Sequence, residues 1–322
     1  MSDDGAQRRS VRAGVIGVGH LGAVHAAKLA AAADLVAVYD VCRERAVEVA
    51  AAHGCRAAVS LDDLLSSVEA ACIAVPALAH ADVGCRAADA GVHMLVEKPL
   101  AADSASGRRL ADAASRAGVV LQVGHLERFN PVFEEARRLI DRPRFIECHR
   151  LAPFAGRGLD TDVVFDVMIH DLDLLAFLVG EPVMRVEAVG VPVLSRHVDI
   201  ANARIRFAGG CIANVTASRV SLKRERKLRV FQEDAYLSVD FDARQALIAR
   251  RTRAAEDGGE PAHIDVETRS FAEADPLAAE INSFLDCVRN GSAPLVGAAE
   301  GLGALAMADL VVGALETPDD VR

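Results

Sequence analysis

The chain of 322 residues is 52% hydrophobic, and its formal net charge is −10 at pH 7. A typical domain has about 100–200 residues, so this length and apolar content predict two well-packed domains. The acidic balance argues against a protein that binds nucleic acid or a membrane surface, because both require a basic face. With no Trp and two Tyr, the chain also has few of the aromatic side chains on which bases stack.

The cysteines and the N-terminal residues favour a cytoplasmic location. Seven cysteines are scattered along the chain without a CxxC pair, as expected of reduced and mostly buried thiols. Residues 1–10 are polar, unlike a secretory signal, and no apolar run reaches the roughly 20 residues of a membrane span. The ten histidines show neither HxxxH nor HExxH spacing, so we predict no metal site.

A glycine-rich loop joins the first predicted strand to the first predicted helix. The apolar run 11–16 is typical of a buried strand, and the helical run 21–32 follows the loop. In this loop Gly17 permits a tight turn, Gly19 lets a pyrophosphate approach, and Gly22 lets the helix pack on the strand. Free N–H groups at the helix N-terminus attract phosphates. The loop predicts a dinucleotide site, and the alternative is a simple glycine-rich turn.

Asp40 ends the second predicted strand, 35–39, and stands 18 residues after Gly22. An acid near this position accepts hydrogen bonds from the adenosine ribose, and its charge repels the extra phosphate of NADP. We therefore predict NAD as the cofactor, while Arg43 nearby leaves a role for NADP open. The alternative is that Asp40 is a surface acid.

Strands and helices alternate up to Gly124, which predicts a doubly wound parallel sheet with helices on both faces. Ligands of such sheets bind beyond the carboxyl ends of the strands. Four segments fall at predicted strand ends: the glycine loop 17–22, Asp40, Val75-Pro76 and Glu97-Lys98-Pro99. This convergence predicts one ligand site at that edge of a first domain, residues 1–124.

The remaining residues, 125–322, have the pattern of a second domain for substrate binding and oligomerisation. Strand-like segments follow one another there without intervening helices, and Gly209-Gly210 predicts a hairpin turn. We predict an α/β domain with an open, mostly antiparallel sheet. Helices cover one face, and the other face is free to pair with a second subunit. The C-terminal helices, predicted over 277–289 and 299–315, are able to pack back on the first domain.

Two segments carry the candidate catalytic groups. Lys98 follows a strand end, where its ammonium could stabilise negative charge on a substrate oxygen; a salt bridge to Glu97 is the alternative. Asp166 and His170 lie four residues apart in a helix predicted over 163–179, so both face one side of it. His170 could take a proton from a hydroxyl group with Asp166 orienting it. The alternative is an ordinary helix histidine on a solvated acidic face.

The polar segment after the first domain offers substrate contacts through His125, Arg128 and Asn130. The alternative is that Glu127 pairs with Arg128 while Asn130 caps the next helix. Further along the chain, the basic run 223–229 is a solvated edge, an oligomer contact or a site for a phosphate-bearing substrate.

Together these motifs resemble the family of glucose-fructose oxidoreductase, inositol dehydrogenase and MocA, abbreviated Gfo/Idh/MocA. The resemblance extends from Val11 to about Leu315. Three motifs carry it: the glycine loop with His25, Glu97-Lys98-Pro99 and Asp166-x-x-x-His170. It implies an oxidoreductase with a Rossmann domain and a second α/β domain, assembled as dimers or tetramers through the open sheet. It also implies that Lys98 and His170 flank the reacting hydroxyl, with Asp166 beside them.

The resemblance further implies NAD as cofactor and assigns residues to the two ligands. The residues expected to hold the cofactor are Gly17, Gly19, His20, Leu21, Gly22, Asp40, Val75, Pro76, His80, Glu97 and Lys98. The residues expected to contact the substrate are His125, Arg128, Asn130 and Arg157.

Many members of the family carry a glycine-rich stretch before the aspartate and histidine, and this chain does not. In that respect it resembles the UDP-N-acetylglucosamine 3-dehydrogenase branch. This implies oxidation of the sugar 3-hydroxyl to a ketone before an aminotransferase acts, towards a lipid A with a diamino sugar. The substrate diphosphate would need cations, for which Arg128, Arg157 and the run 223–229 are candidates. The alternatives are another sugar or inositol dehydrogenase, or a non-catalytic NAD-sensing protein on the same fold.

Overall fold

The computed structural model describes residues 9–154, 161–253 and 263–316. The chain forms two compact units. The first consists of Met1–Gly124 and Leu277–Leu302, and the second consists of His125–Pro276 and Gly303–Arg322. The chain therefore leaves the first unit at Gly124, returns to it near the C-terminus, and ends in the second unit.

Strands and helices occupy most of the described residues. The strands are β1 (Arg12–Ile16), β2 (Asp34–Tyr39), β3 (Arg56–Ala57), β4 (Ala70–Ile73), β5 (His93–Glu97), β6 (Leu121–Gly124), β7 (Phe145–Leu151), β8 (Val183–Val191), β9 (Ile200–Phe207), β10 (Ile212–Ser218), β11 (Glu225–Gln232), β12 (Ala235–Asp240), β13 (Gln245–Arg253), β14 (His263–Ser270) and β15 (Leu315–Glu316). The helices are α1 (His20–Ala32), α2 (Arg43–His53), α3 (Leu61–Leu65), α4 (Ala77–Asp89), α5 (Ser104–Ala117), α6 (Pro131–Arg137), α7 (Ile169–Val179), α8 (Pro276–Asn290) and α9 (Ala298–Gly313). A 3₁₀ turn covers Leu126–Phe129, and a wide π-type turn covers Val164–Met168.

The sheet of the first unit is parallel throughout, in the order β3-β2-β1-β4-β5-β6. The strand order reverses beside β1, because β2 lies on one side of it and β4 on the other. In a doubly wound sheet this reversal opens the crevice in which ligands bind. The predicted doubly wound α/β fold is confirmed.

Apolar side chains from both ends of the chain build the core of the first unit. Val15 and Leu95 on the sheet are fully buried, and Leu29 of α1 packs in the same cluster. Helix α8 adds Ile281 and Phe284 to that cluster. Burying one such side chain stabilises a fold by about 1.5–3 kcal/mol. Helix α8, which comes late in the chain, therefore helps to support the parallel sheet of the first unit.

The second unit contains a nine-stranded sheet, in the order β14-β13-β12-β11-β7-β10-β9-β8-β15. Strands β7 and β10 are parallel, as are β8 and β15, and the other neighbours are antiparallel. The predicted mostly antiparallel sheet is confirmed. Strand β15 was not predicted, because two residues are too few to show an alternating pattern.

Burial alternates along the strands of this sheet. In β9, Ala203 and Ile205 are buried while Arg204 and Arg206 are exposed, since successive side chains point to opposite faces. The buried face packs under α6 and α7, whose side chains join one large apolar cluster with it. Among the described residues, no helix combines the length and the apolar character needed to cross a bilayer.

The segment that carries Asp166 and His170 differs from its prediction. One α-helix over 163–179 is predicted, but the residues Val164–Met168 form the π-type turn and α7 begins at Ile169. The N–H of Ile169 bonds to the carbonyl of Val164, five residues back. Such wide turns are rare and recur at functional sites. Hydrophobic periodicity does not reveal them, because it reports buried faces and not hydrogen-bond partners.

Candidate active site

The glycine loop of the first unit has little room for side chains at two of its three glycines. Gly17 has φ +83°, and a β-carbon there would lie 2.8 Å from the carbonyl oxygen of Ala74. A β-carbon on Gly22 would lie 1.8 Å from the carbonyl oxygen of Gly17. At Gly19 the nearest atom would be Nη1 of Arg45, at 4.0 Å. The first and third glycines are thus required by the fold, whereas the second leaves an open approach to the backbone.

This opening fits a pyrophosphate. Helix α1 begins at His20 with Gly19 as its N-cap, so His20 and Leu21 form the first turn. The N–H groups and the positive dipole end of such a turn attract phosphate oxygens. Because a β-carbon on Gly19 would occupy this space, the glycine keeps the approach clear. The residues present therefore fit the dinucleotide that the motif predicts.

Asp40 lies beside the glycine loop, as the spacing predicts. One carboxylate oxygen accepts a hydrogen bond from Val18 N at 2.8 Å, and the other accepts from Cys42 N at 2.8 Å. Nη1 of Arg45 approaches the same carboxylate at 3.3 Å. A carboxylate has about four lone-pair positions, so it can also accept from a ribose hydroxyl. The arginine that contacts Asp40 is Arg45, and the sequence had drawn attention to Arg43.

Three exposed apolar side chains border the same edge of the sheet. Leu21 stands in the first turn of α1, Val41 follows Asp40 and is 91% exposed, and Leu78 lies in the first turn of α4. Exposed apolar groups gathered at one place indicate a contact surface. Sequence reasoning named Leu21 but missed Val41 and Leu78, because exposure of an apolar residue becomes visible only in the fold.

His80 connects the ends of two neighbouring strands, β4 and β5. Its Nδ1 lies 2.7 Å from the carbonyl oxygen of Pro99, and its Nε2 lies 2.8 Å from that of Val75. Burial lowers the pKa of His80, although its contacts with the two carbonyl oxygens oppose this shift. The Lys98–Pro99 peptide bond is cis. The imidazole thereby holds the segments Val75-Pro76 and Lys98-Pro99 together at the carboxyl edge.

A buried charge cluster lies behind Lys98. Nε2 of His25 contacts Oε1 of Glu97 at 2.6 Å, and Lys98 N donates to Oε2 of Glu97 at 3.2 Å. Burial alone would lower the pKa of His25, but interactions with Cys72 and Glu97 outweigh it and raise that pKa. Burial would raise the pKa of Glu97, but the hydrogen bond from His25 outweighs it and lowers that pKa. The pair is therefore imidazolium and carboxylate.

Glu280 of α8 completes this cluster as a neutral acid. It is fully buried, and desolvation with the nearby Glu97 charge raises its pKa well above the usual range. Its backbone carbonyl accepts a hydrogen bond from the amide of Gln122 at 3.1 Å. The sequence named Glu97 as a cofactor contact and as an alternative salt-bridge partner of Lys98. It gave no signal for Glu280, which lies 183 positions further along the chain.

In the second unit, Asn130 has the capping role that its alternative gave it, whereas Arg128 pairs with Asp173 and not with Glu127. Arg128 is 5% exposed and donates to both carboxylate oxygens of Asp173, at 2.7 and 3.0 Å. Asn130 caps α6 by accepting from Val132 N at 3.2 Å. Their predicted contacts with substrate remain predictions. His125 is buried at the start of the same segment, and Arg157 lies outside the described residues.

Glu127 pairs with Arg150 and not with Arg128. Nη1 of Arg150 lies 2.9 Å from Glu127, and its Nη2 lies 2.9 Å from Asp171. Asp171 directly follows His170 at the start of α7. Buried arginine pairs of this kind fix geometry, because separating them leaves uncompensated charge. The network therefore anchors the helix turn that presents His170.

Lys98, Asp166 and His170 are each partly exposed. Lys98 stands at the carboxyl edge of the first unit, beside the glycine loop, Asp40 and Val75-Pro76. Asp166 and His170 stand in the π-type turn and the first turn of α7 in the second unit. No group of three or more metal-ligating side chains occurs among residues 9–154, 161–253 and 263–316.

A parallel sheet with such a glycine loop after its first strand and an acid after its second strand is typical of dinucleotide-dependent proteins. Residues 11–125 match the model of an oxidoreductase family with an NAD-binding Rossmann fold, and residues 135–238 match the C-terminal domain of the same family. The chain belongs to this Gfo/Idh/MocA oxidoreductase family. Both the predicted family and the predicted NAD cofactor are confirmed.

Known proteins resemble the chain over most of its length. It is 43% identical over 279 residues to UDP-N-acetylglucosamine 3-dehydrogenase of Acidithiobacillus ferrooxidans, covering 86% of this chain and 88% of the relative. A crystal structure of that enzyme superposes with TM-score 0.89, covering 95% of this chain and 98% of the other. Inositol 2-dehydrogenase of Rhizobium meliloti is 27% identical over 333 residues, covering 94% of this chain and 96% of the relative.

Proposed function

We propose that this oxidoreductase uses NAD to oxidise the 3-hydroxyl of UDP-N-acetylglucosamine to a ketone. The observation that carries the proposal is the 43% identity to an enzyme of that name across 86% of the chain. The inositol dehydrogenases stand further away, at 27% for the enzyme of Rhizobium meliloti. A nucleotide sugar is therefore a better-supported substrate than a free polyol.

We assign the cofactor to the first unit. The first turn of α1 and the backbone at Gly19 hold the pyrophosphate, and Asp40 accepts from the adenosine ribose. When bound, NAD accepts a hydride from the substrate carbon. The carboxylate of Asp40 also disfavours a ribose 2′-phosphate, which supports a preference for NAD over NADP.

We assign removal of the hydroxyl proton to His170 and binding of the substrate oxygen to Lys98. His170 takes the hydroxyl proton through Nε2, since its Nδ1 is a buried atom. Asp166 orients the imidazole and favours its charged form. The ammonium of Lys98 donates to the substrate oxygen and stabilises the negative charge that develops there. The hydrogen bond from Lys98 N to Glu97 supports this role by fixing the backbone at Lys98.

The test is formation of NADH, followed by absorbance, with UDP-N-acetylglucosamine, other nucleotide sugars, free sugars and inositols. We expect turnover with the UDP-sugar, and about 10²–10³-fold lower kcat in Lys98→Ala and His170→Ala. His263→Ala, an exposed histidine of β14, is the matched control. Turnover of an inositol alone would select the alternative substrate. NAD binding without any turnover would select the sensing protein.

We further propose a cytoplasmic homodimer or homotetramer whose ketone product feeds an aminotransferase. Seven free cysteines support a reducing compartment. The uncovered face of the nine-stranded sheet carries polar pairs such as Arg204 with Asn214, at 3.0 Å, and Arg229 with Glu147, at 3.4 Å. That face supports pairing with a second copy. A monomeric mass by light scattering at micromolar concentration would contradict the oligomer. Failure of a coupled aminotransferase assay would contradict the pathway.

A further inference from the structure

A cavity of about 470 Å³ lies within the second unit, at the start of β11 and the turn that joins β12 to β13. Three arginines, two acids and apolar side chains contribute to its lining, among them Arg224, Arg226, Arg244, Glu127, Asp242, Leu126 and Phe241. Its volume lies within the roughly 300–1,000 Å³ of small-molecule sites. Three arginines in the lining of one cavity indicate an anionic ligand.

Arg226 is a cavity arginine whose charge is only weakly compensated. It lies on β11 directly opposite Arg150 on β7, and facing like charges repel. Arg150 is held by Glu127 and Asp171, both at 2.9 Å, whereas Nε of Arg226 lies 3.8 Å from Asp242. Burial, together with the charge of Arg150, lowers the pKa of Arg226. An anion in the cavity would relieve this unfavourable charge.

Arg244 supplies a second, independent observation. Its φ is +53°, a left-handed conformation that is unfavourable for residues with a β-carbon. Glycine or asparagine usually occupies such turn positions. Nη1 of Arg244 donates to the carbonyl oxygen of Ala272 at 2.6 Å, which leaves the positive charge without a carboxylate in that contact. A strained residue with a long cationic side chain on a cavity wall indicates a binding role.

The carboxylates of the cavity are already engaged. Glu127 accepts from Arg150 at 2.9 Å and from the amide of Asn130 at 3.2 Å. Asp242 lies 3.0 Å from Nε of Arg224. The lining thus carries three positive and two negative charges, and both negative ones have partners. The apolar side chains Leu126 and Phe241 offer a surface for a nucleobase.

We propose that this cavity binds the diphosphate of the nucleotide-sugar substrate through Arg224, Arg226 and Arg244. The inference rests on the proposed function, whose sugar substrate carries a diphosphate. Arg128 is a weaker candidate for binding the diphosphate, because its Nε and Nη2 already donate to the two carboxylate oxygens of Asp173. Within the second unit, Arg150 connects the cavity wall to α7. It pairs with Glu127 in the wall and with Asp171, the residue after His170. The contacts that hold the diphosphate therefore adjoin the turn that presents His170.

Calorimetry with UDP, uridine and inorganic pyrophosphate tests the cavity without any chemistry. We expect wild type to bind UDP, and Arg226→Ala to raise the Kd for UDP by about tenfold or more. Uridine binding should change little, because it has no phosphate. Arg224→Ala and Arg244→Gly provide variants at an exposed position and at a strained position, so the test does not depend on Arg226→Ala folding.

The same variants are then assayed with UDP-N-acetylglucosamine. We expect KM to rise about tenfold with kcat within about threefold, since phosphate contacts are made in both ground and transition states. Arg138→Ala is the matched control. Arg138 is 62% exposed and paired with Glu134, as Arg224 is 58% exposed and paired with Asp242. Arg138 lies outside the cavity, so its KM should stay within about twofold of wild type.

The outcomes separate this inference from the proposed function. If wild type turns over the UDP-sugar while the three cavity variants keep its KM, the cavity assignment is overturned and the function stands. If wild type binds UDP through Arg226 but does not oxidise the UDP-sugar, the function is overturned and the cavity assignment stands. If wild type does not bind UDP, the cavity assignment is overturned whatever the activity.

Discussion

The two units bury ionisable groups in different ways. In the first unit His25, Glu97 and Glu280 form one cluster, and the surroundings of each group set its protonation. Interactions with Cys72 and Glu97 raise the pKa of His25, and desolvation raises the pKa of Glu280. This unit therefore holds one ion pair and one neutral acid beside its predicted cofactor edge.

The second unit buries arginines that are always charged. Arg128 is paired with Asp173, Arg150 with Asp171 and Glu127, and Arg219 with Asp199 at 2.8 Å. Each buried guanidinium needs a carboxylate at hydrogen-bonding distance, because removing one charge of a buried pair leaves the other charge uncompensated.

The difference in buried ionisable groups follows from the contacts that each unit has to make. In the first unit the ligand contacts that we propose are backbone N–H groups at the glycine loop, and these need few permanent charges beside them. The second unit must fix a helical turn against an open sheet, and paired arginines do this with directional contacts. Where one arginine, Arg226, is left with weak compensation, a ligand site follows.

The largest effect on stability is expected from Arg150→Met. This change leaves Asp171 and Glu127 buried without their cation, so the free energy of unfolding should fall by about 3–5 kcal/mol. Urea unfolding followed by circular dichroism measures it, since the chain has no Trp to report by fluorescence. Arg138→Met, at an exposed pair, should lose less than about 1 kcal/mol. Both arginines lie in the second unit, so equal losses in the two variants would contradict the special role of buried arginine pairs there.

Gly22→Ala should have the next largest effect, confined to the first unit. The new β-carbon would meet the carbonyl oxygen of Gly17 at 1.8 Å, so α1 must shift away from the loop. We expect about 1–3 kcal/mol lower stability and at least about tenfold weaker NAD binding by calorimetry. Gly303→Ala in α9 of the second unit has open space and should gain about 0.5–1 kcal/mol. Unchanged NAD affinity in Gly22→Ala would refute the packing argument.

Glu280→Gln tests whether burial keeps this acid neutral. Because its pKa is raised in the folded state, the unfolded chain alone releases the proton above about pH 4.3. Wild-type stability should therefore fall with rising pH, by about 1.4 kcal/mol per unit, until the folded-state pKa is reached. Glutamine has no proton to release, so the advantage of the variant should grow over that range. The exposed Glu48→Gln is the control, and parallel pH curves for all three proteins would contradict the expectation.

The smallest effects are expected at helix caps, which should be alike in the two units. Asp103 caps α5 in the first unit by accepting from Ser106 N at 2.8 Å, and Asn130 caps α6 in the second. Each change to Ala should lower stability by about 1 kcal/mol. If Asn130→Ala also raises KM for the UDP-sugar while Asp103→Ala does not, the predicted substrate contact of Asn130 gains support.

The sequence by itself determined the features that local physics controls. The glycine spacing defined the loop from Gly17 to Gly22, because only residues without a β-carbon tolerate its contacts. Alternating strands and helices predicted the parallel sheet, and the change of pattern after Gly124 predicted the second, mostly antiparallel one. Asp40, Lys98 and His170 could be named as candidates because strand ends and helical spacing are visible in consecutive residues, and their roles stay predictions.

Only the tertiary structure decided which distant groups meet. No local pattern pairs Arg128 with Asp173 or Arg150 with Asp171, and none brings Glu280 to His25. The π-type turn before Ile169 and the strained backbone at Arg244 are likewise invisible in hydrophobic periodicity. The physical reason is that periodicity reports which face is buried, whereas ion pairs, cavities and unusual turns depend on long-range packing that selects each partner.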